Sequence, residues 1–114
     1  MAEQETGTGA FYVLIEEDGT VVGRFNLYDF VDGTADVGYR VAEHVSGRGV
    51  ATLGLRNLCH VASNDLGLRT LRAVTSTDNV ASQRVLEKCG FAAVGPARAG
   101  GRDGLMFELA RASL

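Results

Sequence analysis

The first third of the chain alternates apolar and polar residues with a period of two, which is the pattern of half-buried β-strands. It predicts strands at Phe11–Ile15, Val21–Tyr28 and Thr34–Val41. Asp18-Gly19 and Asp32-Gly33 separate these runs, and Asp-Gly between two apolar runs is a strong signal for a hairpin turn. The sequence therefore predicts an antiparallel meander. In its second strand, the alternation places on one face Val21, Gly23, Phe25 and Leu27.

The hydrophobic period then lengthens to that of a helix. The apolar residues spaced three and four positions apart are Leu55, Leu58, Cys59, Ala62 and Leu66. They predict a helix over Gly49–Asn64, in which Gly54 costs about 1 kcal/mol relative to alanine and so indicates close packing against a neighbour. A second helix is predicted after Asp78 or Asn79, because either side chain can cap it. Its expected inward residues are Ala81, Val85, Leu86 and Cys89.

Further strands complete the predicted fold. They are expected at Thr70–Thr75, Phe91–Val94 and Leu105–Ala110. Gly95–Gly104 is rich in glycine and arginine and is predicted to be a loop. The order β-β-β-α-β-α-β-β predicts an α/β fold, a mixed sheet with helices packed on it, in which a right-handed crossover makes the third and fourth strands parallel. We expect one domain over residues 11–114, preceded by a flexible lead-in over residues 1–10.

Composition and charge limit the classes of function. Eleven basic and fourteen acidic residues among 114 leave a net charge of −3, which argues against a nucleic-acid partner. The longest apolar run, Phe11–Ile15, is too short to cross a membrane, and no charged-then-apolar leader opens the chain. Cys59 and Cys89 form no CxxC and no His/Cys cluster, so we expect no metal and a reducing, cytoplasmic location.

One turn between a predicted strand and a predicted helix has the composition of a phosphate-binding site. Its residues are Ser46, Gly47, Arg48, Gly49, Val50, Ala51 and Thr52. Glycines allow close backbone approach, and a helix start offers unpaired N–H groups and a positive dipole end. Neither the Walker pattern nor the dinucleotide fingerprint is present. Taken alone, this segment is equally compatible with a tight strand-to-helix connection.

A second motif resolves that choice through a family resemblance. Asn79, Ser82 and the stretch Val85–Phe91 match Asn-x-x-Ser-x-x-Val/Leu-Leu/Tyr-Glu-Lys-x-Gly-Phe. The earlier turn matches Gln/Arg-x-x-Gly-x-Gly/Ala, with Gly49 and Ala51 at its last two defined positions. Over residues 11–110, the chain resembles the GNAT superfamily of acyl-CoA-dependent N-acetyltransferases. It looks most like the branch that acetylates the N-terminal amines of ribosomal proteins.

The resemblance implies acetyl-CoA as cosubstrate and assigns its contacts. Backbone amides of residues 47–52 would hold the pyrophosphate, with Arg48 near a phosphate. The pantetheine arm would lie between splayed parallel strands, Thr34–Val41 and Thr70–Thr75. Free backbone groups there would bind it, and they belong to Tyr39, Arg40 and Val41. Asn79 would bond the arm. Separately from the resemblance, Arg84 lies where it could reach the nucleotide phosphates, and its alternative is a solvated position on the helix face.

The chain departs from the family at two positions. Ser46 stands where the loop motif has Gln or Arg, which predicts a weaker phosphate contact there. Leu86 stands where many members place the tyrosine that protonates the departing thiolate. Ser82 is the nearest hydroxyl that could act instead, and its alternative is a structural role in the first helical turn. Asp36 is the candidate base, acting through a water, and its alternative is a solvated carboxylate on a strand face.

Two functions follow from these residues. The first is an enzyme that transfers acetyl from acetyl-CoA to a primary amine by direct attack in a ternary complex. The second is an acetyl-CoA-binding module without transfer, regulatory or completed by a partner. Family members have a strand and two helices ahead of Phe11, so we expect an N-terminally truncated form. The uncovered sheet face and free first strand then predict a homodimer.

Overall fold

The computed structural model describes residues 11–45 and 49–110, which form one six-stranded sheet with two α-helices. The elements are β1 Phe11–Glu17, β2 Thr20–Val31, β3 Thr34–Val41, a 3₁₀ turn Glu43–Val45, α1 Val50–Asn64, β4 Thr70–Ser76, α2 Val80–Lys88, β5 Ala92–Ala99 and β6 Arg102–Ala110. The spatial order of the strands is β1-β2-β3-β4-β6-β5. Among the strands of the described residues, β3 and β4 are the one pair that runs parallel. The predicted element order, the meander and the parallel third and fourth strands are therefore confirmed.

The segment predicted as a loop is instead a β-hairpin. Ala92–Ala99 and Arg102–Ala110 pair antiparallel, and Gly100 and Gly101, both with positive φ, form the turn. Arg98 donates to Asp103 at 2.7 Å across the two strands and helps to close the hairpin. The glycines, alanines and Pro96 of this stretch have little β-propensity, so local sequence did not predict strands that pairing with β4 and β6 stabilises.

Two apolar residues are exposed against expectation. They are Val21, which the alternation placed on the same face as Phe25 and Leu27, and Ala81, which was expected to point inward. Val21 is 46% exposed, whereas Val22 is 3% exposed, because the β1–β2 register shifts between Ile15 and Glu16. The irregularity changes which side chain points inward. Ala81 is exposed in the first turn of α2 and borders the cleft described below.

Gly54 of α1 lies directly against the aromatic core, as its position inside the helix predicted. A β-carbon added there would lie 2.0 Å from Cε1 of Phe25. Phe25 is fully buried on β2, and its ring stacks on Tyr39 of β3 with the centroids 5.5 Å apart. Because Gly54 has no side chain, α1 can pack directly against Phe25, whose ring stacks on Tyr39.

Replacing Gly54 with alanine should destabilise the fold by about 1–2 kcal/mol. Overpacking a filled core costs about 1–3 kcal/mol, and the 2.0 Å approach to Phe25 places this site in the upper part of that range, at about 2–3 kcal/mol. The better helix propensity of alanine offsets about 1 kcal/mol of it. Chemical denaturation would measure the change. Gly95→Ala is the matched control, since a β-carbon at Gly95 meets nothing within 4 Å. Equal stability of the two variants would show that the Phe25 side chain can shift at little cost to make room for the added methyl group.

The two faces of the sheet differ in chemistry. One face carries the buried cluster that packs on α1 and α2. The opposite face, among the described residues, carries no helix and presents a mixture of charged, polar and apolar side chains. These include Leu14, Arg24, Asn26, Tyr28, Asp36, Arg40, Arg72 and Val74. The surface is therefore less apolar than the alternation in β1 and β2 had indicated.

Neither α1 nor α2 is long and apolar enough to cross a bilayer. Within residues 11–45 and 49–110, no three His, Cys, Asp or Glu side chains are grouped so that they could hold a metal ion.

Candidate functional site

A V-shaped cleft opens where β3 and β4 separate. The two strands pair at only three positions, the last of which joins Asp36 to Arg72. β3 then continues to Val41 and β4 to Ser76 without further pairing between them. Backbone groups on the facing edges of both strands are therefore left for another partner. The resulting cleft has a volume of about 640 Å³ and extends to the N-termini of both helices.

Most of the residues assigned to the cosubstrate border this cleft. They are Tyr39, Arg40, Val41, Gly49, Ala51, Thr52, Asn79 and Arg84, together with the candidate acid Ser82. Val50 does not border the cleft, because its side chain packs towards Gly23, although its amide belongs to the same helix start. Ser46, Gly47 and Arg48 lie outside the described residues. The structure brings the assigned positions together, and their roles stay predictions.

The start of α1 offers its amides to the cleft. Gly49 has φ of 79°, the left-handed conformation that glycine adopts without strain. Among the described residues no side chain caps this helix, and its first helical hydrogen bond runs from Leu53 N–H to Gly49 C=O. The N–H groups of Val50, Ala51 and Thr52 precede that bond and have no partner in the helix. Together with the positive end of a 15-residue helix, they suit an anion.

The start of α2 is capped by a side chain, which settles the alternative between Asp78 and Asn79. Asn79 Oδ1 accepts a hydrogen bond from the backbone N–H of Ser82 at 3.1 Å. Asp78 instead accepts from Ser76 Oγ at 2.8 Å and from Arg102 at 2.5 Å. The Ser76 hydrogen bond and then the Arg102 charge hold the pKa of Asp78 below its usual value. Asn79 also borders the cleft.

A pair of hydroxyl groups bridges the cleft between β3 and α2. Tyr39 Oη and Ser82 Oγ lie 2.9 Å apart although they are 43 residues apart in sequence. Burial raises the pKa of Tyr39, and the hydrogen bond with Ser82 opposes that rise. The tyrosine therefore remains a neutral hydroxyl at physiological pH.

Asp36 lies at the closed end of the V, on the sheet face opposite the helices. Its carboxylate pairs with the Arg72 guanidinium at 3.3 Å, and its side chain is 29% exposed. Tyr28 lies opposite Asp36 on β2, and burial, followed by the charges of Asp36 and Asp29, raises the pKa of Tyr28. Asp36 does not itself border the cleft, although Val37 and Tyr28 do. This position fits a base that acts through a water, and that role stays a prediction.

The second wall of the cleft consists of Ala73, Val74 and Thr75 of β4, which lie in the strand that the resemblance placed beside the pantetheine arm. Tyr28 is a cleft residue that sequence reasoning missed. It borders both the cleft and a shallow trough on the open face of the sheet. Tyr28 belongs to no motif, so only its place on the face of β2 opposite the core could have indicated it.

The two cysteine thiols do not border the cleft. Cys59 is buried, and burial raises the pKa of its thiol to about 12. Burial also raises the pKa of Cys89, whose Sγ donates to Thr52 C=O at 3.7 Å. Arg98 and Arg102 form ion pairs with Asp103 and Asp78.

Splayed parallel strands with two helix starts at their open end are the architecture of an acyl-CoA-binding acyltransferase fold. The sequence matches the acetyltransferase (GNAT) domain family over residues 1–92. The chain therefore belongs to the GNAT acetyltransferase family, and the family expected from its motifs is confirmed.

Known relatives lie among named N-acetyltransferases. The chain is 32% identical over 91 residues to "Probable N-acetyltransferase YjcK" of Bacillus subtilis strain 168, covering 77% of this chain and 50% of that protein. It is 33% identical over 85 residues to "Putative ribosomal N-acetyltransferase YdaF" of the same strain, covering 73% and 46%. The chain spans about half the length of these curated relatives.

A solved structure supports the same fold. Mycobacterium smegmatis RimJ in complex with CoA-disulfide superposes with a TM-score of 0.83 at 28% sequence identity. The match covers 92% of this chain and 55% of that one. The mixed sheet and helix order described above are thus those of a GNAT fold.

Proposed function

We propose that this chain binds acetyl-CoA in the β3–β4 cleft and transfers the acetyl group to a primary amine. The acceptor is a protein N-terminus or a small molecule, and it attacks the thioester directly in a ternary complex. The observation that carries the proposal is the early separation of β3 from β4, with the uncapped start of α1 at the open end. The RimJ neighbour, which is complexed with CoA-disulfide, supports the choice of ligand.

The residues present fit acetyl-CoA. The N–H groups of Val50, Ala51 and Thr52 would donate to phosphate oxygens, and Gly49 carries no side chain that would obstruct them. Arg84 on α2 adds a positive charge on the same side of the cleft. The unpaired edges of β3 and β4 present N–H and C=O groups of the kind that amide bonds of a pantetheine arm require.

The proposed reaction places distinct demands on the chain. The amine nitrogen forms a bond to the acetyl carbon, the carbon–sulfur bond breaks, and the amine loses a proton. Asp36 would take that proton through a water at the closed end of the cleft. Ser82 would face the departing sulfur from the first turn of α2.

Titration with acetyl-CoA, followed by measurement of CoA thiol release with a panel of amines, tests the proposal. The panel should contain peptides with a free N-terminus, since one relative is named as ribosomal, as well as a polyamine. The same peptides with blocked N-termini are the control. Saturable binding with amine-dependent thiol release is expected. Saturable binding without release would favour the alternative, an acetyl-CoA-binding module that is regulatory or completed by a partner.

We further propose that the chain acts in the cytoplasm as a homodimer. Among the described residues, β1 has a neighbouring strand on one side only. Leu14 and Val31 are 52% and 60% exposed in this part of the sheet. Exposed apolar side chains beside a free strand edge favour association.

Sedimentation velocity at micromolar concentration should therefore give the mass of a dimer. Leu14→Lys places a charge on the open face beside the free edge and should shift the equilibrium towards monomer. A wild-type chain that sediments as a monomer across the concentration range would contradict the proposed association.

A further inference from the structure

The side chain of Tyr39 is fixed by packing, although the resemblance assigns only its backbone to the cosubstrate. One face of the Tyr39 ring stacks on Phe25, with an interplanar angle of 23°. Phe25 is fully buried and lies against Gly54 of α1. This packing leaves the ring little freedom, so the hydroxyl of Tyr39 stays at one point on the cleft wall.

Ser82 is held at the other end of the hydrogen bond. Its backbone N–H is bonded to the cap Asn79, which fixes the first turn of α2. Its hydroxyl carries one hydrogen and accepts through its lone pairs. If Tyr39 donates to Ser82 Oγ, the hydrogen of Ser82 is left for a ligand in the cleft that both residues border.

Either hydroxyl can donate at 2.9 Å, and the phenol of Tyr39 is the more acidic of the two and hence the better donor. The titratable group near its hydroxyl is Cys89, whose thiol is itself kept neutral by burial. Leu86, where many family members have a tyrosine, is 1% exposed and has no hydroxyl to offer. Tyr39 thus brings a phenolic hydroxyl to α2 from a different element.

We propose that Tyr39 is a positioning residue, which donates to Ser82 Oγ and thereby turns the serine hydrogen towards the departing sulfur. This inference rests on the proposed acetyl transfer. As the amine–carbon bond forms and the carbon–sulfur bond breaks, the electron pair moves onto sulfur. The Ser82 hydroxyl stabilises that charge by a hydrogen bond, and the thiolate then takes a proton from water. The proton lost by the amine passes through the bridging water to Asp36 and from there to solvent, so protons balance.

Tyr39→Phe tests the proposal because it keeps the ring and its stacking on Phe25. The expected result is a fall in kcat of about tenfold to a hundredfold, the range for one hydrogen bond to a developing charge, with affinity for acetyl-CoA unchanged. Ser82→Ala should cause a similar fall, and the double variant should be no slower than Ser82→Ala alone. Ser82→Thr keeps the hydroxyl and should restore most of the rate.

A selenium analogue separates this role from a structural one. In acetyl-seleno-CoA the leaving atom is a selenolate, which is a weaker base than a thiolate and needs less stabilisation. The Tyr39→Phe defect in single-turnover rate should therefore shrink with selenium. A defect of equal size with both cosubstrates would overturn the proposed role.

The remaining outcomes distinguish this inference from the proposed function. If the wild-type chain transfers acetyl and Tyr39→Phe transfers it at the same rate, only the role of Tyr39 is wrong. If the wild-type chain binds acetyl-CoA but transfers to no amine, acetyl transfer is wrong and the role of Tyr39 fails with it. Thermal unfolding of each variant establishes that the compared proteins are folded.

Discussion

Replacing Gly49 with asparagine should lower the affinity for acetyl-CoA by about tenfold to a hundredfold, the cost of losing one or two hydrogen bonds to a charged group. A β-carbon at Gly49 meets nothing within 4 Å, and the residue borders the cleft. A side chain there would occupy the space that the phosphates are proposed to fill. Asparagine is the suitable replacement because it tolerates the φ of 79° better than a branched residue, which would strain the turn.

Gly67→Asn is the matched control for that experiment. Gly67 also has a positive φ, 65°, and its added β-carbon also meets nothing within 4 Å, but the residue follows α1 and does not border the cleft. It therefore reports the cost of an asparagine in this conformation alone. Calorimetric titration of both variants would measure the difference. If the two folded variants bind acetyl-CoA with equal affinity, the proposed phosphate site at the start of α1 is wrong.

Replacing Asp36 with asparagine should reduce acetyl transfer by about a hundredfold or more at neutral pH, the usual contribution of a general base. The loss should shrink at high pH, where the amine acceptor is already neutral before it attacks and solvent hydroxide can take the proton released on acylation. A pH–rate profile of kcat would measure it. If Asp36→Asn keeps the wild-type rate across the whole pH range, Asp36 is not the base and is a solvated carboxylate on the sheet face.

Arg72→Gln separates a catalytic carboxylate from a structural ion pair. It breaks the same 3.3 Å contact with Asp36 but leaves the carboxylate in place. If Asp36 acts as the base, Arg72→Gln should lose much less activity than Asp36→Asn. Equal losses, with equal pH profiles, would show that the ion pair and not the base had been removed.

Local sequence was sufficient wherever a short stretch determines its own structure. The Asp-Gly turns and the period-two runs predicted the meander of β1 to β3, and the helical spacing predicted α1. The cost of a glycine inside a helix predicted the close contact of Gly54. The two motifs, at Gly49 and at Asn79–Phe91, were specific enough to indicate the family before any packing was known.

Tertiary packing decided what no short stretch encodes. β5 and the start of β6 are strands because neighbouring strands pair with them, while their own alanines, glycines and proline have little preference for one.

Three features of the cleft depend on residues far apart in sequence. They are the separation of β3 from β4 after Asp36, the ion pair of Asp36 with Arg72 and the hydrogen bond of Tyr39 with Ser82. Sequence alone therefore determined the meander, the two helices and the family of this protein. The sheet register and the packing of α2 decided which hydroxyls and charges meet in the cleft, since such contacts depend on distances that only the folded chain defines.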